Sequence, residues 1–222
     1  MKFSKNRNPA VPGFKAVGLG CGIKAGNLKD LALIVSDVPA TAAGVFTKNR
    51  VVSPGVTWSR RAMAKSGGCR AIVVNSGNAN AVVGPKGLKD CDTITKKIAE
   101  ELSIPQKEVL MASTGVIGVP LPSYKILQAA RQLVQKLGRT AKNWTDASEA
   151  IMTTDLVSKS DKVSYNYKDH RIVIGGMTKG SGMIHPNMAT MLAYLTTDAP
   201  IEQKMLQTTL VNAVEKTFNL IS

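Results

Sequence analysis

Residues 175 to 198 read GGMTKGSGMIHPNMATMLAYLTTD. A glycine-rich polar run, Lys179-Gly180-Ser181-Gly182, opens onto Asn187 to Leu195, which has the composition of a strand. Ala189-Thr190 stands at the junction. A β-branched threonine fits a strand without any further purpose. Cutting the chain between Ala189 and Thr190, however, would leave the Thr190 hydroxyl beside its own α-amine, whose ordinary pKa of about 7.7–8.0 suits it to take the hydroxyl proton. Glycines at 175, 176, 180 and 182 would let the backbone approach a reacting centre or strain a scissile peptide, and would equally make a plain loop. His185 is placed either to assist cleavage or to sit in a turn with Pro186, whereas His170, in the charged segment Tyr167 to Arg171, reads as solvated.

Working outward, short apolar runs bounded by turn residues predict strands at 30–35, 70–74, 109–112 and 171–174. Helical periodicity links Leu88, Cys91, Ile98 and Leu102 before Pro105. It also links Ile126, Ala129, Ala130, Leu133 and Leu137, with Gly138 as a left-handed stop. Asp146 and Glu149 suggest a capping box for a short helix through Met152, and Asp198-Ala199-Pro200 a start for a last helix carrying Leu206, Leu210, Ala213, Val214 and Phe218. Helices alternating with strands give an α/β protein whose strand directions periodicity leaves open.

Two loops after predicted strands carry polar chemistry. Ser113-Thr114-Gly115-Val116-Ile117-Gly118 offers a hydroxyl and backbone N–H groups to a developing oxyanion, or makes a turn. Asn75-Ser76-Gly77-Asn78-Ala79-Asn80 either lines a polar site or spends its amides on Asx-type turns.

Composition narrows the classes. The 222 residues carry a formal net charge of +14, and the segment before Asp30 is basic with no acid. The bases are scattered, only 5% of residues are aromatic, and no nucleic-acid motif accompanies them, so a surface attracting anionic small molecules is expected and a nucleic-acid partner is not. No apolar run is long enough to span a membrane and no export signal opens the chain, which predicts a cytoplasmic protein. Cys21, Cys69 and Cys91 are odd in number and far apart, predicting buried or half-buried thiols, no disulfide framework, no metal and no bound cofactor.

The segments DLALIVSDVPATAAGVFT (30–47), AIVVNSGNAN (71–80), ASTGVIGVPLP (112–122) and residues 175 to 198 together resemble the ornithine acetyltransferases, the bifunctional glutamate N-acetyltransferases of arginine biosynthesis. The resemblance implies an α/β layered sandwich of the type shared with self-cleaving aminopeptidases, here incomplete at its carboxy end. It implies self-cleavage at Ala189-Thr190, giving an α-subunit-like region 1–189 and the start of a β-subunit-like region 190–222. Thr190 is then the nucleophile, Thr114 and Gly115 the oxyanion pair, and Thr153, Lys179 and Thr190 the substrate contacts, with Thr154 the neighbouring alternative to Thr153. The implied reaction moves acetyl from N-acetylornithine to glutamate through an acetyl-enzyme, with acetyl-CoA a co-substrate in some members, in an assembly of two α and two β chains.

The chain departs from the family at Val82-Val83, where relatives often carry Cys-Thr, and between Leu156 and His170. Members also continue past the point corresponding to Ser222, where the family's glutamate contact and its carboxy-terminal asparagine and threonine or serine contacts lie. A piece from Thr190 to Ser222 buries too little apolar surface for a subunit, so the expectation is an uncut chain, inactive alone. The rival readings are a self-processing aminopeptidase or amidase, with water as acceptor, and a basic binding protein without catalysis.

Overall fold

The computed structural model describes residues 8–181 and 191–221. Among the described residues, seven strands and five α-helices follow one another: β1 (Phe14–Leu19), β2 (Leu31–Thr41), α1 (Pro54–Ser66), β3 (Gly68–Asn78), α2 (Lys86–Leu102), β4 (Val109–Val116), α3 (Ser123–Gln135), α4 (Ala141–Ala150), β5 (Lys159–Tyr167), β6 (His170–Lys179), β7 (Leu192–Thr197) and α5 (Gln203–Glu215).

The first four strands form one sheet in chain order. β1–β2 and β2–β3 are antiparallel, while β3 and β4, connected through α2, are parallel. β2 reads as an uninterrupted apolar run because both of its faces are covered. Leu31, Leu33 and Val35 join Val73, Ile94, Ile98, Ile126 and Leu133 in one core, beneath α2 and α3. Ala32 and Ile34 join Ala16, Val74, Trp144, Ala147 and Ala150 in another, beneath α4. α1 lies beside α2 and is pinned to β4 by the Ser59 hydroxyl donating to the Met111 carbonyl at 2.8 Å and the Trp58 indole donating to Val109 at 3.1 Å.

β5, β6 and β7 form a second, antiparallel sheet. On β6 the side chains of Met177 and Lys179 alternate inward, so Met177 enters the core beneath α4 and Lys179, 4% exposed, is buried at the strand end. The layers are therefore helices, a mixed sheet, then α4 with the second sheet, the α/β layering predicted from sequence.

Three local expectations are corrected. α4 starts at Ala141 with Thr140 as its cap, accepting from the Asn143 amide at 3.3 Å; Asp146 and Glu149 sit inside the helix and pair with Lys29 at 2.6 and 2.5 Å. Gly138 does not close α3 in a left-handed turn; it bridges Ala16 in an antiparallel ladder step. α5 is capped at Glu202, and of its predicted apolar stripe only Val214 is fully buried. Among the described residues no helix is long and apolar enough to cross a membrane.

Candidate functional site

The end of β4 is built by a conflict between side-chain volume and backbone. Gly115 has φ +134°, and a Cβ there would lie 2.4 Å from the Gly77 carbonyl carbon and 2.5 Å from the Asn78 nitrogen. Only glycine lets β4 run this close to the bulged end of β3, where the register slips between Gly77 and Asn78. The turn that follows opens to the surface, with Val116 and Ile117 exposed.

The asparagine-rich end of β3 is scaffold. Asn75 donates to the Asn78 carbonyl at 2.8 Å and accepts from Ser113 at 2.6 Å; Asn78 donates to Val119 at 3.0 Å; Asn80 donates to Gly87 at 3.1 Å. Buried and bonded to one another and to backbone, these amides hold the strand ends, with Asn80 Oδ1 left without a partner among the described residues. The Asx-type turn that one of the two sequence readings expects is present, with Asn78 Oδ1 accepting from the Asn80 amide at 2.8 Å.

The Lys179 ammonium donates to Thr114 Oγ1 at 3.2 Å, joining the end of β6 to the end of β4. Burial drives the Lys179 pKa below the usual lysine value; the Asp155 charge opposes that shift and Lys159 adds to it. A threonine hydroxyl that accepts from an ammonium keeps its own proton to give elsewhere, and the neighbouring charge polarises it.

Asp155 gathers the third segment. Its carboxylate accepts from the Thr153 amide at 3.3 Å and the Gly180 amide at 2.9 Å, and it pairs with Lys159 at 2.5 Å. Burial alone would raise its pKa, but Lys159 and the two amides outweigh burial and hold the carboxyl below its ordinary range. The segment after α4 is thus locked to the turn after β6, and the Thr154 and Ser181 hydroxyls lie 3.2 Å apart.

Of the residues singled out from sequence, Thr114 and Lys179 touch, Gly115 follows Thr114 at the open tip, and Thr153 is tied to the Lys179 turn through Asp155. Ala189, Thr190 and His185 lie outside the described residues. Gly175 and Gly176 are required by packing: a Cβ on Gly175 would meet the Pro9 carbonyl oxygen at 2.0 Å, and one on Gly176 the Leu195 side chain at 2.6 Å. His170 is exposed, as predicted. Cys91 is buried and Cys21 and Cys69 are partly so; burial, first of all, pushes each thiol pKa up to about 12. Among the described residues no group of His, Cys, Asp and Glu side chains has the arrangement of a metal site.

Sequence reasoning missed Asp155 and Lys24. Asp155 stands beside the threonine pair at 153 and 154, and a carboxylate next to two hydroxyls before a charged strand was the available signal. Lys24 had none beyond belonging to an acid-free basic segment that ends at Asp30.

A layered α/β protein with a threonine, a buried lysine and a carboxylate converging at the ends of β4 and β6 defines a class with a built polar site at the mouth of its two sheets. The family model for the ArgJ family matches residues 15–222, and the chain belongs to that family. It is 47% identical over 210 residues to the arginine biosynthesis bifunctional protein ArgJ of Caldanaerobacter subterraneus, covering 95% of this chain and 51% of that protein. The chain thus spans about half the length of the curated relatives it matches. Among solved structures, the arginine biosynthesis bifunctional protein of Bacillus halodurans superposes at a TM-score of 0.80 with 40% identity, over 85% of this chain and 98% of that one. The ornithine acetyltransferase of Mycobacterium tuberculosis, complexed with ornithine, superposes at 0.77 with 35% identity, over 88% of this chain and 100% of that one.

Proposed function

We propose that the chain forms the amino-terminal part of an acetyl-transfer site that carries acetyl from N-acetylornithine to glutamate, with Thr190 as the nucleophile exposed by cleavage after Ala189. The observation that carries the reading is the Lys179–Thr114 hydrogen bond of 3.2 Å, which brings two motifs distant in sequence to one point. The lengths support the cleavage. A solved ornithine acetyltransferase chain is covered whole by 88% of this one, whereas the curated relatives are about twice as long as this chain, a difference in length of the kind that a family member divided into two chains would give.

The Thr190 hydroxyl, losing its proton to its own α-amine, attacks the acetyl carbonyl of N-acetylornithine. Negative charge develops on the carbonyl oxygen, where the Thr114 hydroxyl, polarised by Lys179, and the Gly115 amide stabilise it. The tetrahedral intermediate collapses by breaking the C–N bond, the ornithine amine leaves with a proton, and acetyl remains as an ester on Thr190. The glutamate amine then attacks that ester, and the same donors serve the second oxyanion. Lys179 and the Thr153 segment face the substrate, the ammonium attracting its carboxylate. Acetyl-CoA is a second acetyl donor in this proposal, the assembly pairs two cleaved α chains with two β chains, and the setting is the cytoplasm, with no nucleic acid, membrane, metal or bound cofactor taking part.

A chimera that continues this chain into the carboxy-terminal half of the Caldanaerobacter relative, checked by light scattering for the relative's assembled mass, tests the reading. Acetylglutamate should form from N-acetylornithine and glutamate, and Thr190→Ala should abolish it. Transfer surviving Thr190→Ala, or an assembled chimera releasing only acetate, overturns it; the second result favours the hydrolase.

A further inference from the structure

The loop between β1 and β2 has no role in the chemistry above, yet it is among the most tightly built segments of the molecule. Asp30 is fully buried, and its carboxylate accepts from the amides of Cys21 at 2.7 Å, Ile23 at 2.6 Å and Lys24 at 2.9 Å. Hydrogen bonds to an ionised carboxylate are the stronger kind, and three of them fix the course of the loop. Lys125 of α3 adds a bond to the Gly22 carbonyl.

What the loop presents is Lys24. Its stem lies on the bulge of β3: a Cβ on Gly77, φ +93°, would be 3.0 Å from Lys24 Cγ. Ile23 Cγ2 comes equally close to that Cβ, at 3.0 Å, and Gly77 in turn backs onto Gly115, so the loop at Ile23 and Lys24, then Gly77, then the oxyanion turn pack one against the next. The Lys24 ammonium donates to the Lys29 carbonyl at 2.9 Å and to the Met152 carbonyl at 2.7 Å. Met152 immediately precedes Thr153, whose amide is held by Asp155.

We propose that Lys24 is a positioning residue of the acyl-transfer site: by tying the Met152 carbonyl to the loop packed behind Gly77 and Gly115, it sets the Thr153–Asp155 segment at the right distance from Thr114 and Lys179. The proposal rests on the functional reading given above for what the site does, but its mechanical part stands on geometry alone. The charges around Lys24 fit a tether. Burial, the largest influence, and Lys179 bring its pKa below the usual lysine value, while the Asp30 and Asp155 charges oppose that shift, so the ammonium sits between two carboxylates and a second cation. Without Lys24 the Met152 carbonyl loses a charged donor, and a main link between the oxyanion side and the Thr153 side of the site is gone.

Lys24→Met keeps the stem and removes the donors; Lys24→Arg keeps charge and donors. In the chimera, Lys24→Met should raise the KM for N-acetylornithine by about tenfold or more, the loss expected when a charged hydrogen bond is removed, with kcat changed by less than about threefold; Lys24→Arg should recover most of the KM. In parallel, hydrogen exchange of the Thr153 and Gly180 amides should accelerate by about tenfold in Lys24→Met while the Leu31–Val35 amides of β2 stay as slow as in the parent. An unchanged KM, or acceleration spread evenly over β2, overturns the proposal and leaves Lys24 an ordinary structural clip; so does a KM change without faster exchange at Thr153 and Gly180. If the parent chimera transfers no acetyl at all, the functional reading fails, and the exchange pattern alone still decides whether Lys24 tethers the segment.

Discussion

Gly115→Ala is the substitution whose cost the structure sets most directly. Two terms add. The backbone at φ +134° is one that L side chains rarely adopt, worth about 1–3 kcal/mol of strain. The new Cβ would also meet three backbone atoms of Gly77 and Asn78 at 2.4–2.7 Å, and backbone cannot swing aside as a flexible side chain can. Forcing such an approach costs about 1–3 kcal/mol more, in line with overpacked cores. The sum is about 2–6 kcal/mol, a large share of a domain's stability. Gly118→Ala supplies the control, because Gly118 also has positive φ, +81°, yet nothing lies within 4 Å of its would-be Cβ. It should lose only the backbone term, about 1–2 kcal/mol. Urea unfolding of both variants, followed by circular dichroism, reads the difference as a shift in midpoint at unchanged slope. If Gly115→Ala proves no less stable than Gly118→Ala, then β4 does not lie as close to the β3 bulge as described, and the placement of Thr114 and Gly115 falls with it.

Other expectations follow from the same contacts. Asp30→Asn removes the charge that three loop amides share and should cost about 2–4 kcal/mol by thermal unfolding, because those buried donors keep only a neutral acceptor. The same change should speed alkylation of Cys21 at pH 8: after burial, the Asp30 charge is what pushes that thiol up to about 12, and without it more thiolate forms. An unchanged alkylation rate would contradict the assigned contact. Lys179 must be protonated to polarise Thr114, and burial sets its pKa below the ordinary 10.5, so transfer should fall as pH rises through that lowered value. Lys179→Arg, charged throughout, should move that alkaline limb upward if it retains activity, and a limb that stays put would assign it to another group. Asp155 is held below the ordinary carboxylate range, so its contribution to stability is present above its unfolded value of 3.8 and is lost as pH falls through the folded one. Asp155→Asn should therefore flatten the acid end of the stability profile, and an unaltered profile would argue against the Lys159, Gly180 and Thr153 contacts.

Why some of this was legible in the sequence and some was not has a physical basis. β2, β3, β4 and β6 announced themselves because each is buried on at least one face, and burial selects β-branched runs. β5, Lys159 to Tyr167, has no fully buried residue and reads as polar loop; α1, with SRR in its middle, shows no apolar stripe. α4 was misplaced because Asp146 and Glu149 have the spacing of a capping box, while their carboxylates answer a lysine from a distant loop. The site was legible as motifs and not as geometry. Thr114 and Lys179 are 65 residues apart, and nothing in either motif reports that a strand bulge and a buried lysine meet. Lys24 and Asp155 act on backbone atoms of other segments, and such partners leave no trace in local spacing.

The central claim is that this chain carries an acetyl-accepting threonine at position 190. The most direct measurement is peptide mass spectrometry of the assembled chimera after incubation with N-acetylornithine and no glutamate. The account predicts a peptide that begins at Thr190 and carries acetyl as an ester on its hydroxyl, released when glutamate is added. An unbroken Ala189–Thr190 bond in an active preparation, or acetyl held on any other residue, would contradict it.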